Sequence, residues 1–295
     1  MSRLPIIDTH VHFWNMRNPD PGMAWVWIAP DADYPVLGNI DAIKMLAYDI
    51  KSVWAEARFA DVRAFVHAQA AIGSTDPVLE TKWLTRMREQ TNIPFTIIAE
   101  ADLGSDKAIS YLDGHGESPY FVGVRDFTAE PLLASGVINP VYERSLAVMA
   151  ERGLVYDLDC EWPNMAAARD LARRHPDLQI VLEHIGFPCT RDDEYFDNWA
   201  AGMRTLAEAE NITCKISGLA MTDPLFSPES LRRWIDTPLE VFGPDRCVLG
   251  SNWPVDRLFS SYDVIMDIYR ERLSSYSESD QAKVFSENTA RLYRL

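Results

Sequence analysis

The chain has 295 residues, 47% hydrophobic and 24% charged, with 14 glycines and 18 prolines, a composition that excludes collagen-like, coiled-coil and largely disordered chains. Lys and Arg total 28 against 44 Asp and Glu, a net charge of −16 that repels nucleic-acid phosphates and anionic membranes. No apolar run approaches the ~18 residues needed to cross a bilayer, and the N-terminus lacks the apolar segment and small-residue cleavage site of a secretory signal.

Eight short apolar runs alternate with segments of helical period. The first, residues 4–7, leads into Asp8-Thr9-His10-Val11-His12. Residues two apart on a strand face the same side, so His10 and His12 aim at one point. Two imidazoles there suit a divalent metal or a polarised carbonyl oxygen. Asp8 either orients one of these rings or caps the strand end. The longest irregular stretch, residues 13–38, carries Trp14, Trp25, Trp27 and Tyr34. It is too aromatic for a disordered linker and predicts a packed cover, a substrate lid, or both, with Trp14 as a substrate contact.

The second run, 62–66, ends at His67, either a core histidine or a substrate contact. The third, 95–99, is followed by Glu100 and Asp102, read as solvated loop carboxylates. The fourth, 121–124, delivers Arg125, an anion anchor or a structural partner of Asp126 or Asp157. Asp157, Asp159 and Glu161 alternate out of the fifth run, 154–158, and face one way, as a tuned acidic patch or simply the strand mouth. His184 ends the sixth, 180–182, where the Gly and Pro that follow force a turn and fix the imidazole. Lys215 lies within the seventh, 212–216, and if buried must pair with a carboxylate or a ligand anion.

The eighth run, 247–249, leads to Asn252, where a barrel hydrolase ordinarily places a carboxylate. An amide cannot act as a general base at neutral pH. Asp256, four residues on, can reach back. The spacing predicts helices over 164–174, 195–210, 228–241 and 277–293, and His115 and His175 read as surface residues. Eight strand–helix units predict a (β/α)8 TIM barrel forming a single domain over 1–295, with a doubly wound sheet as the alternative. The four cysteines are scattered singly, which predicts reduced, buried thiols and a cytoplasmic setting.

With these residues in place, the chain resembles the lactonase branch of the amidohydrolase superfamily, which includes fuconolactonase-like, sulfomuconolactone and pyrone-dicarboxylate lactonases. The resemblance rests on IDTHVHFW, FVGVRDF, RRHPDLQIVLEHIGFP, ITCKISGL, FGPDRCVLGSNWPVD, SSYDVI and FSENTARLYRL, and spans almost the whole length. It implies a distorted (β/α)8 barrel, with His10, His12 and His184 around a hydrolytic centre and as the ligands of a divalent metal, zinc. It also implies Arg125 and Lys215 near a substrate anion. The family pattern has Asp in GSDWP where this chain has Asn252, and Asp-His where it has Glu183-His184.

The expected activity is the opening of a small, carboxylate-bearing lactone by water. His10, His12, His184, Asn252 and Asp256 form the expected catalytic set. His67, Arg125, Lys215 and Trp14 form the expected substrate-binding set. The partner is a small molecule, without nucleic acid or membrane, and a homo-oligomer is compatible with it. The rival readings are a metal-dependent non-oxidative decarboxylase and a barrel that binds a ligand without turnover.

Overall fold

Every one of the eight apolar runs forms a strand in the computed structural model, which describes residues 3–34, 37–137, 139–223 and 226–295. They are β1 (Ile6–Val11), β2 (Val62–Ala68), β3 (Phe95–Glu100), β4 (Phe121–Asp126), β5 (Val155–Leu158), β6 (Gln179–Leu182), β7 (Ile212–Ile216) and β8 (Cys247–Leu249). β1 begins and ends later than its apolar run because its ladder with β2 continues as far as the Val11–His67 pair. These eight strands are parallel, and each pairs with its successor in sequence, while Trp14–Asn15 and Ala47–Tyr48 form a separate short antiparallel pair. A doubly wound sheet needs a reversal of strand order, and there is none here.

The sheet curls until its ends meet. Thr9 Oγ1 donates to Leu249 O across the seam at 2.7 Å, and His12 N donates to Trp253 O at 2.9 Å. β1, β4 and β7 are buried along their whole length, as strands covered on both faces must be. Inside, Val66, Ile98, Val122, Val155, Val181 and Val248 pack on Leu292 and Tyr293, so the last helix plugs the barrel at the end away from the loops that follow the strands.

Helix starts follow their caps. Asp192 accepts from Tyr195 N, so the helix expected over 195–210 runs Asp193–Ala207. Ser227 and Ser230 cap each other reciprocally before Pro228–Phe242. The closing helix is interrupted, as Glu278–Ala282 and Asn288–Tyr293 flank a wider π-type turn over Lys283–Glu287. No helix among the described residues is long and apolar enough to cross a membrane.

Three readings of isolated residues are corrected. His115 is not at the surface but fully buried, with Nδ1 on Thr81 Oγ1 at 2.7 Å and Nε2 on Glu100 O at 3.0 Å. Glu100 is half-buried, and burial, with Glu80 and Asp126 adding to it, pushes its carboxyl up to about 7. Cys160, Cys214 and Cys247 are buried free thiols, whereas Cys189 is exposed.

Candidate active site

The ends of β1, β2, β4, β6 and β8 surround a cavity of about 450 Å³. Asp8 does not touch either ring of the His-x-His pair. Its carboxylate accepts from Ser251 N at 2.8 Å, from Tyr262 OH at 2.7 Å and from His10 N at 3.1 Å, which locks the end of β1 to the segment after β8. The two histidines beyond it are thereby fixed.

Their protonation follows from their neighbours. His12 Nδ1 faces the carbonyl oxygen of Ala68 at 2.9 Å, and a carbonyl only accepts, so this nitrogen carries the proton. His10 Nδ1 lies 3.1 Å from Glu183 Oε2, off the line of a good hydrogen bond; neither atom has a hydrogen-bond partner among the described residues, and His184 Nε2 also lies 3.5 Å from that Oε2. The His10–Glu183 contact is attractive only with the proton on Nδ1. Burial pushes His12 down to about 3 and His10 well below its usual value, so each ring is neutral and carries a single proton. The two Nε2 lone pairs therefore face each other at 3.0 Å with no proton between them. Such a pair repels unless a cation meets it.

His184 arrives from β6 through a left-handed turn. Its φ, ψ are 47°, 38°, those of Ile185 are 53°, 27°, and Phe187 has φ 42°. Strain of this kind in non-glycine residues gathers at functional sites. The ring is 4.4 Å from that of His10, with Nδ1 on Ser217 Oγ at 2.8 Å, and burial lowers its pKa to about 3. Gly218 passes so close that a Cβ there would sit 2.6 Å from Nδ1, so a side chain would displace the imidazole.

Donor atoms of His10, Glu183 and His184 lie within 4.8 Å of one another. Glu183 thus enters the group expected to be His10, His12 and His184, and His12 joins it through His10. Neutral imidazole nitrogens beside a carboxylate suit zinc and similar divalent ions. The residues present fit a metal.

A buried ion network stands behind them. Lys215 Nζ bonds Asp157 and, at 2.6 Å, Glu183 Oε1, all three side chains being fully buried. Tyr293 OH also donates to Asp157 at 3.1 Å. Burial pushes the Glu183 carboxyl up, but Lys215, His10 and Arg125 together hold it well below the usual range. Burial, outweighing Lys215, pushes Asp157 well above it. Lys215 is therefore not a substrate contact, because two carboxylates already claim its charge and it does not line the cavity.

Arg125 does line the cavity. Its Nε and Nη2 donate to Asp159 at 3.3 and 3.4 Å, and Nη2 lies 4.0 Å from Glu183. Of the alternating acids, Asp157 turns into the barrel while Asp159 and Glu161 face the cavity. Of the irregular 13–38 stretch, Trp27, Tyr34 and Leu37 line the cavity, so the segment is both cover and wall. Trp14 is not a contact. It is fully buried, its Nε1 donates to Met45 O at 2.8 Å, and its ring packs on Tyr48 and Trp27. His67 is turned away too, with Nε2 on Glu80 at 3.1 Å and its ring stacked on Phe13.

Asn252 lines the cavity with φ 56°, and its Nδ2 donates to Asp256 Oδ1 at 2.8 Å. Asp256 stands behind it, away from the cavity, and burial raises its carboxyl to about 7. Gln69, one residue beyond β2, was missed by the sequence reading although it lines the cavity.

Asn252→Asp would set a second buried carboxyl against Asp256. Two such groups cannot both ionise cheaply, so the variant loses stability relative to the parent as pH rises above about 4, the ordinary carboxylate value, and a divalent cation restores it. Calorimetric zinc titration is expected to show affinity at least about tenfold above the parent's. Equal affinity would exclude position 252 from the metal site.

A closed parallel barrel with buried imidazoles and carboxylates at the carboxyl ends of its strands defines a (β/α)8 enzyme. Residues 7–295 match the amidohydrolase family, and the chain belongs to that family. It is 32% identical to the uncharacterized protein y4mH of Sinorhizobium fredii, over 100% of both chains. An L-fucono-1,5-lactonase of Burkholderia ambifaria is 27% identical, with 98% of this chain and 95% of that protein covered. A crystal structure of an amidohydrolase from Burkholderia multivorans with bound zinc has a TM-score of 0.82 at 24% identity, covering 99% of each chain, a likeness of fold.

Proposed function

We propose that the protein is a lactonase, hydrolysing the ester bond of a small, uncharged, hydroxyl-bearing lactone. The observation that carries this reading is the approach of His10 Nε2 and His12 Nε2 to 3.0 Å, beside His184 and next to a cavity of small-molecule size. The kinship with an L-fucono-1,5-lactonase supports it. The expected carboxylate on the substrate is given up, because Asp159 takes Nε and Nη2 of Arg125, which leaves Nη1 for the carboxylate formed in the reaction, and Asp157 and Glu183 hold Lys215. Asp159, Glu130 and Glu161 add acid to the cavity wall.

A divalent metal, zinc on this donor set, would be held by His10, His12 and His184 beside Glu183 and would supply Lewis acidity. The chain's own groups do the rest. Asn252 commits its Nδ2 to Asp256, which leaves Oδ1 to accept a hydrogen bond from water and orient it without deprotonating it. Asp159 takes the proton from the attacking water and returns it to the ring oxygen as the C–O bond breaks, being a carboxyl that borders the cavity and whose pKa burial raises, Arg125 pulling the other way. Arg125 Nη1 has no protein acceptor among the described residues and faces the carboxylate that ring opening creates. The four free cysteines and the charge of −16 support a cytoplasmic enzyme whose partner is its small substrate.

The test is acid release from a panel of γ- and δ-lactones across pH, before and after chelation and zinc addition. Uncharged hydroxylated lactones are expected to open, chelation to stop the reaction and zinc to restore it. Asp159 must be ionised to accept a proton, so the rate falls as pH drops through a pKa above the ordinary carboxylate range. His12 and His184, near 3, cannot produce that limb. Carbon dioxide released from an aromatic acid without ring opening would overturn the reading, as would ligand-induced stabilisation with no turnover of any lactone.

A further inference from the structure

We propose that Gln69 is the residue by which this cavity selects its substrate, its side-chain amide pairing with a ring hydroxyl of the lactone as donor and acceptor at once. The inference deepens the lactonase reading and rests on it for the reaction, but not for the binding. Gln69 is 1% exposed and lines the cavity, and neither its Nε2 nor its Oε1 has a hydrogen-bond partner among the described residues. Buried amides are almost always paired, since leaving one unpaired costs the desolvation of both its polar atoms. An amide left open beside a cavity is a binding group awaiting its ligand.

The amide is also held in place. From behind, Glu80 Oε1 accepts from Ala70 N and Ala71 N, both at 2.9 Å, and faces His67 Nε2 at 3.1 Å. Trp27 Nε1 donates to Ala70 O at 2.8 Å. Both flanks of Gln69 are therefore fixed by groups that make no claim on its side chain, and no rearrangement is needed before it meets a substrate.

The choice of partner follows from the amide itself. A hydroxyl gives one hydrogen bond and accepts another, which satisfies Nε2 and Oε1 together. A carboxylate only accepts, and would set its charge against Oε1. A methylene satisfies neither atom, and a site whose buried polar groups stay unpaired rejects such an analogue strongly. Gln69 thus reads the presence of a hydroxyl, and the acidic wall beyond it disfavours charge.

The experiment compares matched lactones that differ by one ring hydroxyl, on the parent, Gln69→Leu and Gln69→Met. The parent is expected to prefer the hydroxylated member by at least about a hundredfold in kcat/KM, and both variants to bring that ratio close to one. Because the amide has no protein partner, neither variant is expected to melt below the parent. Calorimetric binding of an uncharged hydroxylated δ-lactam, which water does not open, gives a readout independent of turnover. If the parent opens no lactone but binds the lactam, and the variants bind it at least about tenfold more weakly, the selection by Gln69 stands and the lactonase reading falls. Equal losses on both members of a pair, or a lowered melting temperature in both variants, would make Gln69 structural and overturn the inference. A parent that neither opens lactones nor binds the lactam would overturn both.

Discussion

Replacing His184 with alanine is expected to lower kcat for lactone opening by about a hundredfold or more while the protein stays folded. Removing one group aimed at charge that develops in the transition state typically costs ~3 kcal/mol of barrier. In the proposed reaction His184 is such a group, as its ring borders the cavity and lies 4.4 Å from that of His10 between centroids. The expected cost to stability is small for three reasons. The ring has one hydrogen bond to a protein side chain, from Nδ1 to Ser217 Oγ. The space it vacates adjoins the cavity, where water can enter, so no dry void forms in the core. The left-handed backbone at 47°, 38° already holds a Cβ in histidine, so alanine adds no new steric clash there.

Steady-state kinetics, a thermal melt and the metal content of the purified variant check the result together. Lost metal with lost activity would make His184 a ligand, and lost activity with metal retained would make it a carbonyl-polarising donor. Unchanged turnover, or a variant that does not fold, would remove His184 from the proposed chemistry.

The parts of this molecule that were legible in the sequence are those set by local physics. Strands covered on both faces need unbroken apolar runs, and all eight runs are strands. His10 and His12 share a face because they are two apart, and His184 is placed by the turn residues after it. The errors fall where a side chain at a strand end chooses between the cavity and a neighbour far along the chain. Trp14 is drawn to Met45 O and His67 to Glu80 on the following helix, while His115, at the end of a helix and read as a surface residue, is drawn inward to Thr81.

Period two gives no guide there, because side chains beyond the ladder answer to tertiary contacts. The ladder itself is irregular between Asp8 and Val11, inside the very segment that carries the histidines. Lys215 shows a different limit. Its need for a negative partner was readable, but whether that partner was protein or ligand depended on Glu183 and Asp157 reaching it from two other strand ends. Gln69 was silent because its significance is a missing bond, which only coordinates reveal.

Lys215→Met is expected to destabilise the fold by about 3–5 kcal/mol at pH 7, the usual cost of removing one partner from a buried ion pair. The stranded charge is Glu183. Its nearest remaining cation is Arg125 at 4.0 Å, already shared with Asp159, and its neighbour His10 is neutral. The pH dependence has a definite sign. In the parent, Glu183 is held well below its ordinary 4.5, so it adds stability above that pH and loses it as pH falls through the folded value. Without Lys215 that lowering is reversed, and burial makes protonated Glu183 the favoured form.

The gap in stability between variant and parent therefore shrinks as pH falls from 7 toward 5. On the alkaline side, Asp157 and Glu183 raise Lys215 above its usual 10.5, outweighing burial, so its contribution persists to high pH and is lost only beyond that value. Denaturant unfolding of both proteins at pH 7 and pH 5 measures the gap directly. A second substitution, Glu183→Gln, in the Lys215→Met background removes the stranded charge. It should recover part of the loss at pH 7 and little at pH 5, which a simple packing defect at Lys215 would not reproduce.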